Sequence, residues 1–116
     1  MEITRIEDAQ PYDAPKHFDM CGLRLQGFDA SLTTFAWTGL SHFLPGGGAE
    51  MDCSPLEKIY VVLEGEVTIE LENGEKHTLT RLDSCFIPAD ENRAIINEGN
   101  TVASMLVIMP YPSELS

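Results

Sequence analysis

The sequence predicts an all-β protein, built as an antiparallel β-sandwich or barrel, and three observations lead to this. Nowhere do apolar residues recur at three- and four-residue spacing over three turns, so long helices are not expected. Short stretches that alternate apolar and polar residues, or are β-branched, are instead separated by turn residues. Between two such stretches stands Asn73-Gly74, a strong hairpin signal because both turn positions tolerate a positive φ.

The predicted strands follow in chain order and are bounded by these turn signals. They span residues 3–7, 23–26, 33–44, 59–63, 67–72, 77–80, 84–87, 93–97 and 102–109. Turns are expected at 45–48, 64–65, 73–74, 82–83, 88–92 and 98–100, and a loop at 11–16. Residues 110–116 are expected to form an exposed tail.

Length and charge limit the possible functions. The chain has 116 residues and a mass of 12.8 kDa, which predicts one domain over 1–116. Nineteen acidic residues against seven basic ones give a net charge of −12, which disfavours nucleic acid and anionic membranes as partners. No apolar run approaches the ~20 residues of a membrane span. Three cysteines without a CxxC pair, and no signal-peptide pattern, predict a reduced cytoplasmic protein.

Strand edges must be protected in such a fold. The predicted strand at 3–7 is separated from the others by a proline-containing loop and could complete a sheet on a neighbouring copy. We therefore expect a homodimer.

Two spaced motifs resemble those of cupins. The first cupin motif is Gly, five residues, His-x-His, three or four residues, Glu, six residues, Gly; this chain has Gly46, Asp52-Cys53-Ser54, Lys58 and Gly65 at that spacing. The second motif is Gly, five residues, Pro-x-Gly, two residues, His, three residues, Asn; here it contains the residues Leu82, Pro88, Asp90, Arg93 and Asn97. The motif region covers 46–97. The resemblance implies a cupin-type double-stranded β-helix, a jelly-roll-like barrel.

The usual metal chemistry of cupins is not expected in this chain. The resemblance places the four metal-ligand positions at Asp52, Ser54, Lys58 and Arg93. Only Asp52 is a reasonable ligand, whereas lysine and arginine are cations that exclude a metal. We therefore expect no metal and no other cofactor at these positions. A relocated site formed by His42 and Asp52 remains an alternative, because the glycine run at 46–48 leaves the direction of His42 open.

The substituted positions instead suggest an anion site. Strand alternation puts Lys58 on one face with Tyr60, and Arg93 on one face with Asn97. Arg93 and Lys58 would bind a small anionic metabolite inside the barrel, while Asp52 orients it. The remaining expected ligand contacts are Ser54, Tyr60, Asn97 and His42. The run 46–48 is expected to form a flexible lip at the mouth of the barrel.

Two alternatives to simple binding remain open. The protein could be a metal-independent isomerase, epimerase or lyase acting on a small carboxylated substrate, with Asp52 or Lys58 transferring the proton. It could also be a structural relic, whose pocket is closed by a salt bridge from Asp52 to Lys58 or Arg93. Cys53 is expected to point away from the site, and His17 to lie at the surface.

Overall fold

The computed structural model describes residues 1–112, and these form an almost entirely β structure. A 3-10 helix, Ile6–Asp8, precedes nine strands in the described residues. The strands are β1 (Gln10–Tyr12), β2 (His17–Gln26), β3 (Trp37–Asp52), β4 (Lys58–Glu64), β5 (Val67–Leu71), β6 (Lys76–Leu79), β7 (Ser84–Ile87), β8 (Arg93–Ile96) and β9 (Ala103–Met109). The predicted all-β class is confirmed.

The long strand β3 connects two layers of an antiparallel, nearly closed barrel. Its first half pairs with β9, from Trp37 opposite Met109 to Phe43 opposite Ala103. Its second half pairs with β8, with Gly48 opposite Ile96. One layer therefore has the order β7-β4-β9-β3-β2 and the other runs from β3 through β8 and β5 to β6. This is the predicted jelly-roll-like arrangement.

The core fills the space between these layers with alternate residues of each strand. Along β4, Lys58, Tyr60 and Val62 are buried while the residues between them are not. Other core side chains come from the remaining strands: Trp37, Phe43, Val67, Ile69, Ile87, Ile95, Met105 and Val107. The core therefore lies between the two layers.

The glycine run at 46–48 does not form the flexible lip that was predicted from the sequence. It lies within β3, and a Cβ at Gly47 or Gly48 would collide with the carbonyl of Asp19 on β2 or of Ile95 on β8. Glycine is required here because two neighbouring backbones approach closely on either side. The run therefore packs strands together.

Both ends of the chain differ from the sequence-based expectation. The predicted strand at 3–7 is wrong, because the 3-10 helix begins within that segment and the first strand begins at Gln10. The loop predicted at 11–16 is shorter, since β1 includes Pro11 and Tyr12. Tyr111 is not in an exposed tail: its hydroxyl lies 2.7 Å from the Thr33 hydroxyl and it packs against the core. The remaining tail residues, 113–116, lie outside the described residues.

No helix within residues 1–112 has the length and apolar character needed to cross a membrane.

Candidate functional site

A cavity of about 450 Å³ opens at one end of the barrel. Its walls come from the inner faces of β2, β3, β4, β8 and β9, and its rim from the β1–β2 connection and the segment after β3. Seven of its lining residues are charged or contain an imidazole or thiol: Asp13, His17, Arg24, Asp52, Cys53, Lys58 and Arg93. Aromatic side chains line it too, among them Tyr12, Phe28, Trp37 and Tyr60.

Lys58 and Arg93 both reach this cavity from neighbouring parts of its wall. Lys58 opens β4 and is 4% exposed, and Arg93 opens β8 and is 8% exposed. Arg93 donates a hydrogen bond from Nε to the Tyr60 hydroxyl at 3.0 Å and one to the Glu50 carbonyl at 3.4 Å. Neither cation forms a salt bridge with any carboxylate in residues 1–112.

The electrostatics of these two groups follow from their burial. Burial, and then the nearby Arg93 guanidinium, lower the pKa of the Lys58 ammonium from its ordinary value. Burial raises the pKa of the Tyr60 phenol, against the opposite effect of Arg93. Tyr60 therefore stays neutral and accepts the Arg93 hydrogen bond, so the positive charge in the cavity wall is left without a counter-charge.

Asp52 lies at the rim and does not pair with the cavity cations. It is the register partner of Arg93, yet its carboxylate pairs with Lys16 at 3.5 Å, and both side chains are largely exposed. The backbone N–H of Cys53, followed by Lys16, lowers the pKa of the Asp52 carboxyl. The salt bridge to Lys58 or Arg93 that would make the pocket a closed relic is not formed in residues 1–112.

Of the other ligand contacts predicted from the sequence, Ser54 lies in the cavity, whereas Asn97 and His42 do not. Ser54 lines the cavity, where its hydroxyl also accepts a hydrogen bond from the Leu56 amide. Asn97 is 1% exposed and donates to the carbonyls of Phe43 and Thr101, so its amide fixes the end of β8. His42 faces away from the cavity, because its neighbour Phe43 is fully buried and its Nδ1 lies 2.8 Å from the Ser104 hydroxyl.

Sequence reasoning missed the contribution of the first two strands. Tyr12, His17 and Arg24 line the cavity because β1 pairs with β2 and β2 pairs with β3. No local pattern signals this, since it depends on which strands pair and on the register shifts in the β2–β3 ladder. Cys53 also lines the cavity, because β3 ends at Asp52 and strand alternation no longer applies beyond it.

His17 is therefore a cavity residue, where the sequence analysis expected a surface one. Its Nδ1 lies 2.8 Å from the Pro15 carbonyl, which leaves Nε2 for other partners. Burial, opposed by that hydrogen bond, lowers the pKa of the imidazole, and Arg93 and Lys58 add to the effect. A neutral imidazole that donates from Nδ1 to a carbonyl leaves Nε2 as a hydrogen-bond acceptor in the cavity.

Comparison with known proteins identifies the fold family. Residues 39–109 match the model of the cupin domain, which is more than half of the chain. This chain belongs to the cupin family. It is 38% identical to a protein named beta-D-galactosidase Rv1717 from Mycobacterium tuberculosis (strain ATCC 25618 / H37Rv), over 97% of this chain and 96% of that protein.

Solved structures of other proteins resemble it in fold at low sequence identity. The polyketide cyclase RemF from Streptomyces resistomycificus superposes with a TM-score of 0.85 at 17% identity, over 98% of this chain and 88% of RemF. A cupin-superfamily sugar phosphate isomerase, SPO2919 from Silicibacter pomeroyi DSS-3, gives a TM-score of 0.77 at 18% identity, over 93% and 74%. Identities this low establish the fold alone.

The backbone supports the motif alignment even where the motif residues differ. Gly46, Gly65, Leu82 and Asp90 stand at the four motif glycines, and all have φ between 65° and 83°. This is the left-handed region that glycine adopts without a steric penalty and that leucine rarely adopts. The cupin turns are therefore retained, although two of them lack glycine.

The metal-ligand positions of this cupin do not fit a metal ion. They hold Asp52, Ser54, Lys58 and Arg93, and of these only the rim carboxylate Asp52 is a good donor. Two buried cations occupy the space where a metal would bind, and like charges repel it. Among the described residues, no group of three or more His, Cys, Asp or Glu side chains could hold a metal.

Proposed function

We propose that the barrel cavity of this cupin binds a small anionic metabolite, with a carboxylated or phosphorylated sugar as the class. The observation that carries this is the buried pair Lys58 and Arg93, which has no carboxylate partner in residues 1–112. An uncompensated buried charge destabilises the folded protein. A bound anion would neutralise it, and Arg93 with Lys58 offers both a planar fork and a point charge to do so.

Two further features support a sugar framework. The relative from Mycobacterium tuberculosis is named as a galactosidase, and it matches nearly the full chain at 38% identity. Aromatic side chains such as Trp37 and Tyr60 line the cavity, and their faces can pack against the apolar face of a sugar ring. A volume of about 450 Å³ lies within the range of small-molecule sites.

Thermal unfolding with matched sugars tests this proposal. Galacturonate is expected to raise the melting temperature, because a ligand that binds only the folded state stabilises it, whereas galactose is expected to do so much less. Glucose 6-phosphate and glucose form a second matched pair. Arg93→Met and Lys58→Met should each abolish the response to the anion, while Arg81→Met, which removes a surface cation, should retain it. Equal shifts with charged and neutral sugars would overturn the proposal, as would an unchanged response in both cavity variants.

A second candidate function is hydrolysis of a β-galactoside. The named relative favours it, and the cavity is lined by two carboxyl groups, those of Asp13 and Asp52. Glycoside hydrolysis commonly uses two carboxyl groups on either side of the scissile bond. The lowered pKa of Asp52 keeps this carboxyl ionised, as a base or nucleophile must be.

Release of nitrophenol from p-nitrophenyl β-D-galactoside tests this candidate. Activity that falls at least about a hundredfold in both Asp52→Asn and Asp13→Asn, and survives in Asp83→Asn, would establish it. Activity that is absent, or unchanged in these variants, would reject it. The isomerase or lyase alternative, with proton transfer by Asp52 or Lys58, requires exchange of a substrate proton with deuterated solvent and stays a prediction.

We also propose that the chain forms a homodimer, but through a different surface from the one first expected. The outward side of the β7-β4-β9-β3-β2 layer is largely uncharged in a chain of net charge −12, with Glu64 as a charged residue at the end of β4. It includes Ile59, Val61, Leu63, Phe86, Leu106, Ile108, Leu23, Thr38, His42, Ser84 and Ser104. Five strands about 4.8 Å apart give a footprint of roughly 400 Å² before pleats and rim are counted. Two copies would then bury on the order of 1,000 Å², near the lower limit of specific interfaces.

Light scattering after size-exclusion chromatography tests the dimer. The wild type should have twice the 12.8 kDa mass of the chain. Ile59→Glu places a charge on an exposed part of this face and should give a monomer, whereas Leu32→Glu, on an exposed loop residue, should not. A monomeric wild type would reject the proposal, and a dimeric Ile59→Glu would reject this face.

A further inference from the structure

Arg24 is a third cation in the cavity wall, and it lies inside a cage of aromatic rings. Its guanidinium carbon is 4.0 Å from the ring centroid of Tyr12, 4.3 Å from that of Phe28 and 4.6 Å from that of Trp37. Cation–π attraction to three rings holds the guanidinium in place. The rings do not, however, accept the hydrogen bonds of its N–H groups.

Arg24 forms no close ion pair, although the Asp29 carboxylate lies near enough to act on its pKa. It makes no salt bridge with any carboxylate in residues 1–112, and its Nη1 is buried without a hydrogen-bond partner. Nη1 is the one such side-chain atom among the described residues. Burial lowers the pKa of the guanidinium, opposed by Tyr12, Tyr111 and Asp29. Arg24 is thus a fixed positive charge with a buried nitrogen that a further acceptor could bind.

Strand register separates Arg24 from the Lys58 and Arg93 end of the cavity. Arg24 is opposite Gly39, Gly39 is opposite Val107, and Val107 is opposite Tyr60, which accepts the Arg93 hydrogen bond. Three strand spacings of about 4.8 Å place the Cα atoms of Arg24 and Tyr60 roughly 14 Å apart along a flat sheet, and less on a curved one. Long side chains on both sides reach into the space between them.

Gly39 makes room for two aromatic side chains in the middle of this row. A Cβ at Gly39 would collide with the Tyr12 hydroxyl and with the Trp37 ring, so these side chains lie directly over its backbone. Tyr12 therefore lies between the two positively charged regions, with its phenol on the cavity wall. A ligand that reaches both cationic regions would therefore lie against the Tyr12 side chain, with cations at either end.

We propose that the ligand of this cavity carries two anionic groups, one bound by Lys58 and Arg93 and the other by Arg24. The chemical class is a short-chain dianion, such as a sugar dicarboxylate or a phosphorylated sugar acid. This proposal rests on the proposed function, since it assumes that Lys58 and Arg93 bind the first anionic group. It adds a second anion subsite and a lower limit on the length of the ligand.

Calorimetric titration with galactonate and galactarate tests the second subsite. The two acyclic acids differ only at C6, which is a hydroxymethyl group in galactonate and a carboxylate in galactarate. Wild type should bind galactarate about tenfold to a hundredfold more tightly, the effect of one hydrogen-bonded ion pair. Gluconate and 6-phosphogluconate form a second pair with the same expectation.

Variants of Arg24 then show whether this residue causes the preference for galactarate over galactonate. Arg24→Met should bind galactarate and galactonate equally, Arg24→Lys should keep part of the preference, and Arg81→Met should keep all of it. The ratio within one variant does not depend on how stable that variant is. If Arg24→Met does not fold, the ratio of galactarate to galactonate affinity in the wild type and in Arg24→Lys still tests whether Arg24 binds the second anionic group.

The outcomes separate this inference from the proposed function. Galactonate that binds wild type and is lost in Arg93→Met, with galactarate no tighter, overturns the second subsite alone. A preference for galactarate that persists in Arg24→Met overturns it as well. Failure of both acids, and of 6-phosphogluconate, to bind better than neutral galactitol overturns the proposed function itself.

Discussion

Replacing Lys58 with methionine should stabilise the protein and abolish anion binding at the same time. Lys58 is 4% exposed and pairs with no carboxylate in residues 1–112, and burial lowers the pKa of its ammonium. Methionine has a similar unbranched shape and no charge to desolvate. Exchanging buried charges for apolar residues of similar volume often stabilises by 1–4 kcal/mol, and because the cavity admits water we expect about 1–2 kcal/mol.

Urea unfolding monitored by Trp37 fluorescence measures this change. A gain of about 1–2 kcal/mol corresponds to a melting temperature roughly 4–8 °C higher for a domain of this size. The effect should shrink as the pH rises, because a lysine with a lowered folded pKa penalises the folded state fully below that pKa and not at all above the unfolded value. Lys76→Met, at an exposed position on β6, is the matched control and should change little.

Destabilisation of Lys58→Met by more than about 1 kcal/mol would refute this reasoning, since removing a paired charge from its partner has that effect. It would mean that Lys58 satisfies an anionic group of the protein itself, which is the relic alternative. Unchanged anion binding in Lys58→Met would refute the second part of the prediction, that Lys58 binds the anion.

Three further substitutions, each at a different contact, have expected effects on the stability of the protein. Tyr60→Phe leaves the Nε donor of Arg93 unpaired, so the free energy of unfolding should fall by about 1–3 kcal/mol and anion affinity should fall with it. His17→Gln should reduce the loss of stability between pH 7.5 and 5, because a histidine whose folded pKa is lowered destabilises the folded state once the unfolded state binds the proton. Gly48→Ala should lower the unfolding free energy by about 2–3 kcal/mol, because its Cβ would collide with the Ile95 carbonyl.

Urea unfolding measures all three variants, with calorimetry added for Tyr60→Phe. A Tyr60→Phe protein as stable as wild type, and as tight a binder, would show that the hydroxyl does not position Arg93. A pH profile of His17→Gln that follows the wild type would remove His17 as the titrating group. A loss below about 1 kcal/mol in Gly48→Ala would mean that β3 and β8 can separate there without strain.

The part of the site built on regular strands was predictable from the sequence. Lys58 and Tyr60 point inward as strand alternation predicted, and Arg93 does so at the start of β8. Alternation fails where a strand ends, which is why Cys53 lines the cavity beside Asp52. The motif spacing also predicted the turns, since the positive φ at its glycine positions survives replacement of the glycine.

The remaining part depends on strand register and tertiary contacts, which local sequence patterns do not determine. Tyr12 and Arg24 reach the cavity through the β1–β2 and β2–β3 ladders, and the register shift next to Met20 breaks any count of alternation along β2. The partner of Asp52 is Lys16, thirty-six positions earlier in the chain, and no spacing rule predicts that pair. The strand expected at 3–7 failed for the same reason, because a strand needs a neighbour to pair with and that segment has none among the described residues.

The anion site itself is the central claim, and a bromide-soaked crystal tests it most directly because it needs no knowledge of the natural ligand. The account expects an anomalous peak in the cavity, within about 3.5 Å of Lys58 Nζ and the Arg93 guanidinium, that is absent in crystals of Lys58→Met. Bromide at surface cations such as Arg81, with none in the cavity, would contradict it.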